Sequence, residues 1–147
     1  MYGTIYNLLL ENKTENKINV GSLETIHFKK GYFVYTGSAF GINSYHRIHR
    51  HLINFNYDNI CRGPKNYKRW WHIDYLNDYM TIIGFLLRKT DKKMECMIAN
   101  LLSDEFDGIE GFGCSDCNCY THLHYSPSKK KILMALIDAH RYIDSSF

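Results

Sequence analysis

The 147-residue chain has no apolar run approaching the roughly 18 uninterrupted residues of a membrane span, so a role inside a bilayer is not expected. Its opening residues, Met1-Tyr-Gly-Thr-Ile-Tyr-Asn-Leu-Leu-Leu10, lack a basic leader and a small-residue cleavage site and do not read as a signal peptide, which leaves a cytoplasmic location as the expectation. There is no internal repeat. Nor is there a linker that separates domains, because the one polar candidate, residues 11–19, is too short. With 45% hydrophobic residues, the length suits one filled core and a single domain over residues 1–147. A strong charge of one sign is missing too: 18 basic against 15 acidic residues give +3, which permits nucleic-acid binding without demanding it. The five cysteines do not pair up. Cys61 and Cys96 stand alone while Cys114, Cys117 and Cys119 bunch together, which argues against a secreted disulfide scaffold and for reduced thiols or a metal site.

Tyrosine, by contrast, is plentiful. Its twelve copies suit a sheet with a half-wet face or a site that stacks bases. Residues 2–10 alternate tyrosine and aliphatic side chains and predict a first strand. Residues 11–19 read as loop, 20–28 as a second, weaker strand and 32–36 as a third, and their closeness in sequence favours antiparallel pairing. After a glycine turn at Gly37, Asn43 or Ser44 caps a helix in which Tyr45, Ile48, Leu52 and Phe55 recur at helical spacing as a core face. A short helix over 72–79 and a strand over 80–87 follow. Met94, Met97, Ile98 and Leu101 form the stripe of the next helix, residues 108–119 a loop, 121–125 a last strand, and 128–143 an amphipathic closing helix. The class expected is α+β, a small antiparallel sheet flanked by helices.

Four groups of residues invite chemistry. The strand ending Tyr35-Thr-Gly37-Ser38 lets backbone or phosphate approach closely at the glycine, and the helix after it projects Arg47, Arg50 and His51; a guanidinium suits phosphate because its planar fork stays charged. A basic surface helix explains the same residues. Arg62, Lys65, Lys68 and Arg69, interleaved with Tyr67, Trp70 and Trp71, suit contact with a nucleic-acid backbone plus stacking of a base, with Trp71 itself better explained as core. Cys114, Cys117, Cys119 and His122 are dense enough to complete a tetrahedral zinc site, with His72 a distant candidate; tucked thiols in a tight glycine loop are the plainer explanation. Finally, His72-Ile-Asp74 ahead of Cys114 and Cys117 falls short of a zinc-deaminase signature, since aspartate replaces the glutamate and the proline is missing.

Gly3-Thr-Ile-Tyr6, Tyr35-Thr-Gly37 and Arg47-Ile-His-Arg50-His51 resemble the signature of the GIY-YIG nuclease superfamily. Trp71-His-Ile-Asp-Tyr-Leu76, Glu95-Cys96 and Gly111-Phe-Gly-Cys-Ser-Asp-Cys-Asn-Cys-Tyr-Thr-His-Leu123 are similar to an archaeal and bacterial branch of it, whose members occur alone or joined to endonuclease III-type repair proteins. The resemblance spans nearly the whole chain. It implies one divalent cation, Mg²⁺ or Mn²⁺, and hydrolysis of a phosphodiester. By the same resemblance Tyr6 and Tyr35 are the motif tyrosines that position or deprotonate the attacking water, Arg47 steadies charge on the phosphate, Glu95 holds the cation, and His51 is an auxiliary proton carrier. A hard cation wants carboxylate oxygen and a guanidinium stabilises developing charge, so the residue types fit. Departures are an extra residue between Gly3 and Tyr6, Thr36 where isoleucine is usual, and a long segment between the two tyrosines.

The expectation is therefore a metal-dependent nuclease acting on DNA ahead of RNA, in repair and with base-excision repair proteins as candidate partners. The alternatives are a non-catalytic nucleic-acid-binding module of the same fold and a zinc-stabilised interaction domain.

Overall fold

The computed structural model describes residues 2–41, 44–55 and 71–146. Cys61, Arg62, Lys65, Lys68, Arg69 and Trp70 lie outside the described residues, and with them the expected backbone-contacting segment.

Strand β1 (Gly3–Asn12) is the middle of the molecule. Every residue from Gly3 to Leu10 is buried, as befits a strand covered on both faces by other elements. β2 (Asn16–Asn19) and β3 (Thr25–Phe28) form a separate two-stranded hairpin. β4 (Gly31–Phe40) and β5 (Thr81–Thr90) then pair antiparallel with β1 on its two sides. β6 (Asp107–Gly108) and β7 (Leu123–Ser126) extend the sheet beyond β4, giving the order β5-β1-β4-β7-β6 among the described residues. Helix α1 (Ser44–Phe55) covers one face of this sheet; α2 (Glu95–Ser103) and α3 (Lys129–Ser146) cover the other. The expected α+β class, an antiparallel sheet flanked by helices, is what the chain forms. No helix among the described residues is long and apolar enough to cross a membrane.

The alternation of β1 divides the core in two. Tyr6, Leu8 and Leu10 point with Phe33 and Tyr35 toward Ile48 and Phe55 of α1 and toward Ile73 and Leu76. Ile5 and Leu9 point with Val34 toward Ile98 and Leu102 of α2 and Ile132, Leu136 and Ile143 of α3. Burying side chains of this size stabilises the fold by about 1.5–3 kcal/mol each.

Four local expectations need correcting. Residues 11–19 are not loop throughout, since Asn16–Asn19 pairs with Thr25–Phe28; only Ile18 of the four is buried, so no alternation marks the strand. Residues 20–28 are not one strand, because a 3₁₀ turn over Gly21–Leu23 interrupts them. The chain does not turn at Gly37 either: β4 runs through to Phe40, and the turn falls at Gly41, whose φ is 100°. In α1 the buried face is Ser44, Ile48, His51, Asn54 and Phe55, leaving Tyr45 54% exposed, because a buried histidine and asparagine rotate the stripe away from the all-apolar reading.

Candidate active site and metal centre

Tyr6, Tyr35, Arg47 and Glu95 come from four elements and line one cavity of about 620 Å³. Trp71, His72, Lys93, Asp116 and the β4 segment Thr36 to Ser38 share its walls. Gly37 explains how Tyr6 reaches the site. A Cβ at Gly37 would lie 2.5 Å from the Tyr6 ring, so the close approach expected at this glycine is made by the phenol of the neighbouring strand.

The Tyr6 hydroxyl meets His51 Nε2 at 3.0 Å, and Tyr35 lies beside both, its ring centroid 6.2 Å from that of Tyr6. Behind His51, the wholly buried Asp74 places Oδ1 3.8 Å from Nδ1. Asp74 Oδ2 accepts from the Trp71 backbone N–H at 3.0 Å and from Arg50 at 2.9 Å. Burial lowers the His51 pKa to about 4, a drop that Asp74 opposes and the two arginines reinforce. The imidazole is thus neutral near pH 7, and with its proton on Nδ1 facing Asp74, Nε2 is free to accept from Tyr6. Burial raises the Tyr6 pKa well above the usual phenol range, with Tyr35 adding to the rise, and burial likewise raises that of Tyr35. Both are phenols at neutral pH, so Tyr6 can take a proton from water only as its own passes to His51.

Arg47 donates to the Ser38 carbonyl and stacks over Trp71 with 4.6 Å from its guanidinium carbon to the ring centroid; Arg50 stacks on the same indole at 4.7 Å. Trp71 is therefore not only core: both guanidinium groups pack against its indole. Arg47 lines the cavity, whereas Arg50 pairs with Asp74. Glu95 opens α2 with its carboxylate in the first turn, where the helix dipole favours negative charge. Its buried Oε2 has no hydrogen-bond partner among the described residues, and a coordinated cation would supply the missing opposite charge.

A second cluster adjoins the first. The ligand atoms of Cys96, Cys117, Cys119 and His122 all lie within 4.8 Å of one another, and together they can hold a metal ion. The cysteine expected in this set was Cys114; the structure puts Cys96 there instead. Cys114 closes a turn through its N–H to the Gly111 carbonyl, and its thiol donates to the Phe112 carbonyl. Burial, with Cys117 adding, pushes the Cys114 thiol up to about 12. His72 is no ligand, since its Nδ1 accepts from the Gly113 N–H at 2.8 Å. His122 Nδ1 lies 2.9 Å from the Thr36 carbonyl, which fixes the proton there and turns Nε2 toward the thiols. From Nε2 the distances are 3.7 Å to Cys96 Sγ and 3.4 Å to Cys117 Sγ.

A family model described as a domain of unknown function, DUF123, matches residues 5–145. The chain belongs to the DUF123 family. The matched DUF123 segment contains Tyr6, Tyr35, Arg47, His51 and Glu95 and all four residues of the thiol and imidazole cluster. No curated protein and no solved structure matches the chain.

Asp74 and Cys96 are the site residues that the sequence did not single out in these roles. Cys96 follows Glu95 directly, but adjacency alone does not show that its thiol meets Cys117, Cys119 and His122. Asp74 offered only its spacing from His72.

Proposed function

We propose that this DUF123 chain is a metal-dependent nuclease that hydrolyses phosphodiester bonds, in DNA ahead of RNA. The observation that carries the reading is the meeting of two phenols, a guanidinium and an unpartnered carboxylate oxygen at one cavity. The resemblance to GIY-YIG nucleases supports it from the motif side, and the link of that branch to repair enzymes makes repair the setting.

Glu95 is the residue to hold Mg²⁺ or Mn²⁺, and the cation when bound supplies charge neutralisation on the phosphate and the leaving oxygen. Arg47, fixed from below by Ser38 and from the side by Trp71, turns its remaining N–H groups to phosphate oxygens and needs no reorganisation as charge builds. Tyr6 Oη accepts the proton of the attacking water while its own proton moves to His51 Nε2. His51 then carries a positive charge, which the Asp74 carboxylate behind it stabilises. Tyr35 closes the wall on the other side and keeps bulk water off the phenol. The Cys96, Cys117, Cys119 and His122 set takes zinc, for which soft thiolates and an imidazole are the preferred donors.

Incubation with plasmid, single-stranded and branched DNA and with structured RNA, in Mg²⁺ or Mn²⁺, tests the reading on a gel. Glu95→Ala and Arg47→Ala are each expected to lower cleavage by about 10²–10³-fold while binding persists. A second reading, a binding module of the same fold, is favoured by the two phenols that burial holds neutral. It requires salt-sensitive binding and no cleavage with either metal.

A further inference from the structure

The two clusters share a helix turn, and what joins them has a direction. Cys96 immediately follows Glu95 in the first turn of α2. The far side of the thiol cluster is His122, which is tied to Thr36 twice: through its ring Nδ1 and through the Thr36 N–H, which donates to the His122 carbonyl at 2.9 Å. Thr36 sits in β4 between Tyr35 and Gly37, the residues that seat the two phenols. An ion bound at the cluster therefore spans from the strand that carries Tyr35 and makes room for Tyr6 to the helix turn that carries the carboxylate.

We infer that zinc at Cys96, Cys117, Cys119 and His122 is the positioning centre for Glu95, so that the hard-cation site is assembled only in the zinc-loaded chain. The use made of Glu95 rests on the nuclease reading; the clamp itself does not. A tetrahedral zinc with bonds of about 2.3 Å to sulfur and about 2.0 Å to nitrogen sets sulfur-to-nitrogen edges near 3.5 Å. The observed 3.7 and 3.4 Å bracket that value. Four protein donors saturate zinc, which makes the centre structural and leaves the open hard site to Glu95. Among the described residues, the helix start has no side-chain cap to serve the purpose. Met94 occupies the N-cap and makes no side-chain capping bond, and the apolar residues Met94, Ile98 and Leu102 anchor α2 to the sheet on the side away from the cavity. On the cavity side, the Cys96 thiol reaches from this turn to the His122 ring at 3.7 Å.

The test uses the full chain under reductant, loaded with Zn²⁺ or with Co²⁺ as a visible substitute. One metal per chain is expected, and the cobalt form should show a thiolate charge-transfer band and tetrahedral ligand-field bands. Cys96→Ser and Cys117→Ser should lose these bands and Cys114→Ser should keep them. In hydrogen exchange, stripping the zinc should expose the amides of residues 98–101, which bond back to the first turn of α2, while α3 stays protected. Mn²⁺ binding, followed by its paramagnetic resonance signal, should weaken about tenfold or more on stripping, as expected when a group that orients a metal ligand is lost. Glu95→Ala in the zinc-loaded chain should weaken it comparably. Cys119→His keeps four donors and should keep the metal and the protection, which separates loss of the ion from loss of the fold. The inference is overturned if Cys96→Ser keeps the cobalt bands, or if the folded, zinc-stripped chain retains both protection and Mn²⁺ affinity. A zinc-loaded chain with Glu95-dependent Mn²⁺ binding that cuts no nucleic acid would sink the nuclease reading and support the positioning role.

Discussion

His51 and His140 are near-equals in burial and in titration, and they sit on opposite faces of the same strand. Each contacts a side chain of β1, His51 through Tyr6 and His140 through the next residue, Asn7. Burial lowers both pKa values to about 4. Yet their surroundings differ in kind. His140 Nδ1 accepts from Arg88 Nε at 3.1 Å, its Nε2 meets Asn7 Oδ1 at 2.8 Å, and Asn7 passes a hydrogen bond on to Thr36 Oγ1 at 2.8 Å. Arg88 also bonds the His140 carbonyl and the Asp144 carboxylate. That network is closed, with each group answering another. The His51 chain of Asp74, imidazole and Tyr6 instead ends at a phenol on the wall of a cavity. A depressed histidine pKa thus marks burial on both faces, and only the open end of one network marks a place where a proton has somewhere to go.

That contrast can be broken by experiment. If it holds, His51→Ala lowers cleavage by about 10²-fold or more, the usual worth of a positioned proton carrier, with the overall fold kept. His140→Ala should leave kcat alone and instead destabilise the chain by about 1–3 kcal/mol, because Asn7 and Arg88 lose their buried partner. Denaturant melts and single-turnover cleavage of the two variants read this directly, and an exchange of the two phenotypes would end the distinction.

Gly37→Ala sharpens the same point at smaller scale. The added methyl would meet the Tyr6 ring at 2.5 Å against the backbone of β4, so the phenol must move. A loss of about 1–3 kcal/mol in stability is expected from the overpacking. Cleavage should fall further than stability alone explains, measured as kcat at a temperature where the variant is fully folded.

The last effect is one that both faces share. His51, His124 and His140 all have folded pKa values near 4, below the 6.5 of a free imidazole. The unfolded chain therefore binds more protons between these limits, and stability should rise with pH from about 4 to about 6.5 and then level off. Denaturation midpoints across that range check the sign. His140→Ala should flatten the slope without touching the pH dependence of cleavage, whereas His51→Ala should alter both.

β1 and α3 were legible in the sequence because they repeat apolar residues at strand or helix spacing, and the apolar, β-rich run of residues 80–87 gives most of β5, which runs on to Thr90. β2 was not legible, since Asn16, Lys17 and Asn19 surround a lone Ile18, and pairing with β3 is what makes it a strand. Gly37 reads locally as a break; its reason for being glycine lies across the sheet in Tyr6. The motif residues were readable as a set, and Tyr6, Tyr35, Arg47 and Glu95 do line one cavity. The partners behind them were not. Asp74 and Cys96 acquire their roles from residues far away in the chain, and no spacing rule carries that information. Cys114 looked the better ligand because it is close in sequence to Cys117, while Cys96 is the one whose thiol the fold brings within reach.

The small β2–β3 hairpin has a consequence of its own. Its tip supplies Gly21 and Ser22 to the cavity wall, and Gly21 approaches the hydroxyl of Tyr75. The floor of the cleft is thus built from the main sheet, but part of its doorway is built from a ribbon outside that sheet, pinned to the core through Ile18, Val20 and Phe28. The strands of the ribbon are held by that packing, but Gly21 and Ser22 at its tip are exposed, which makes the tip the natural place for evolution to retune admission while the underlying machinery stays as it is.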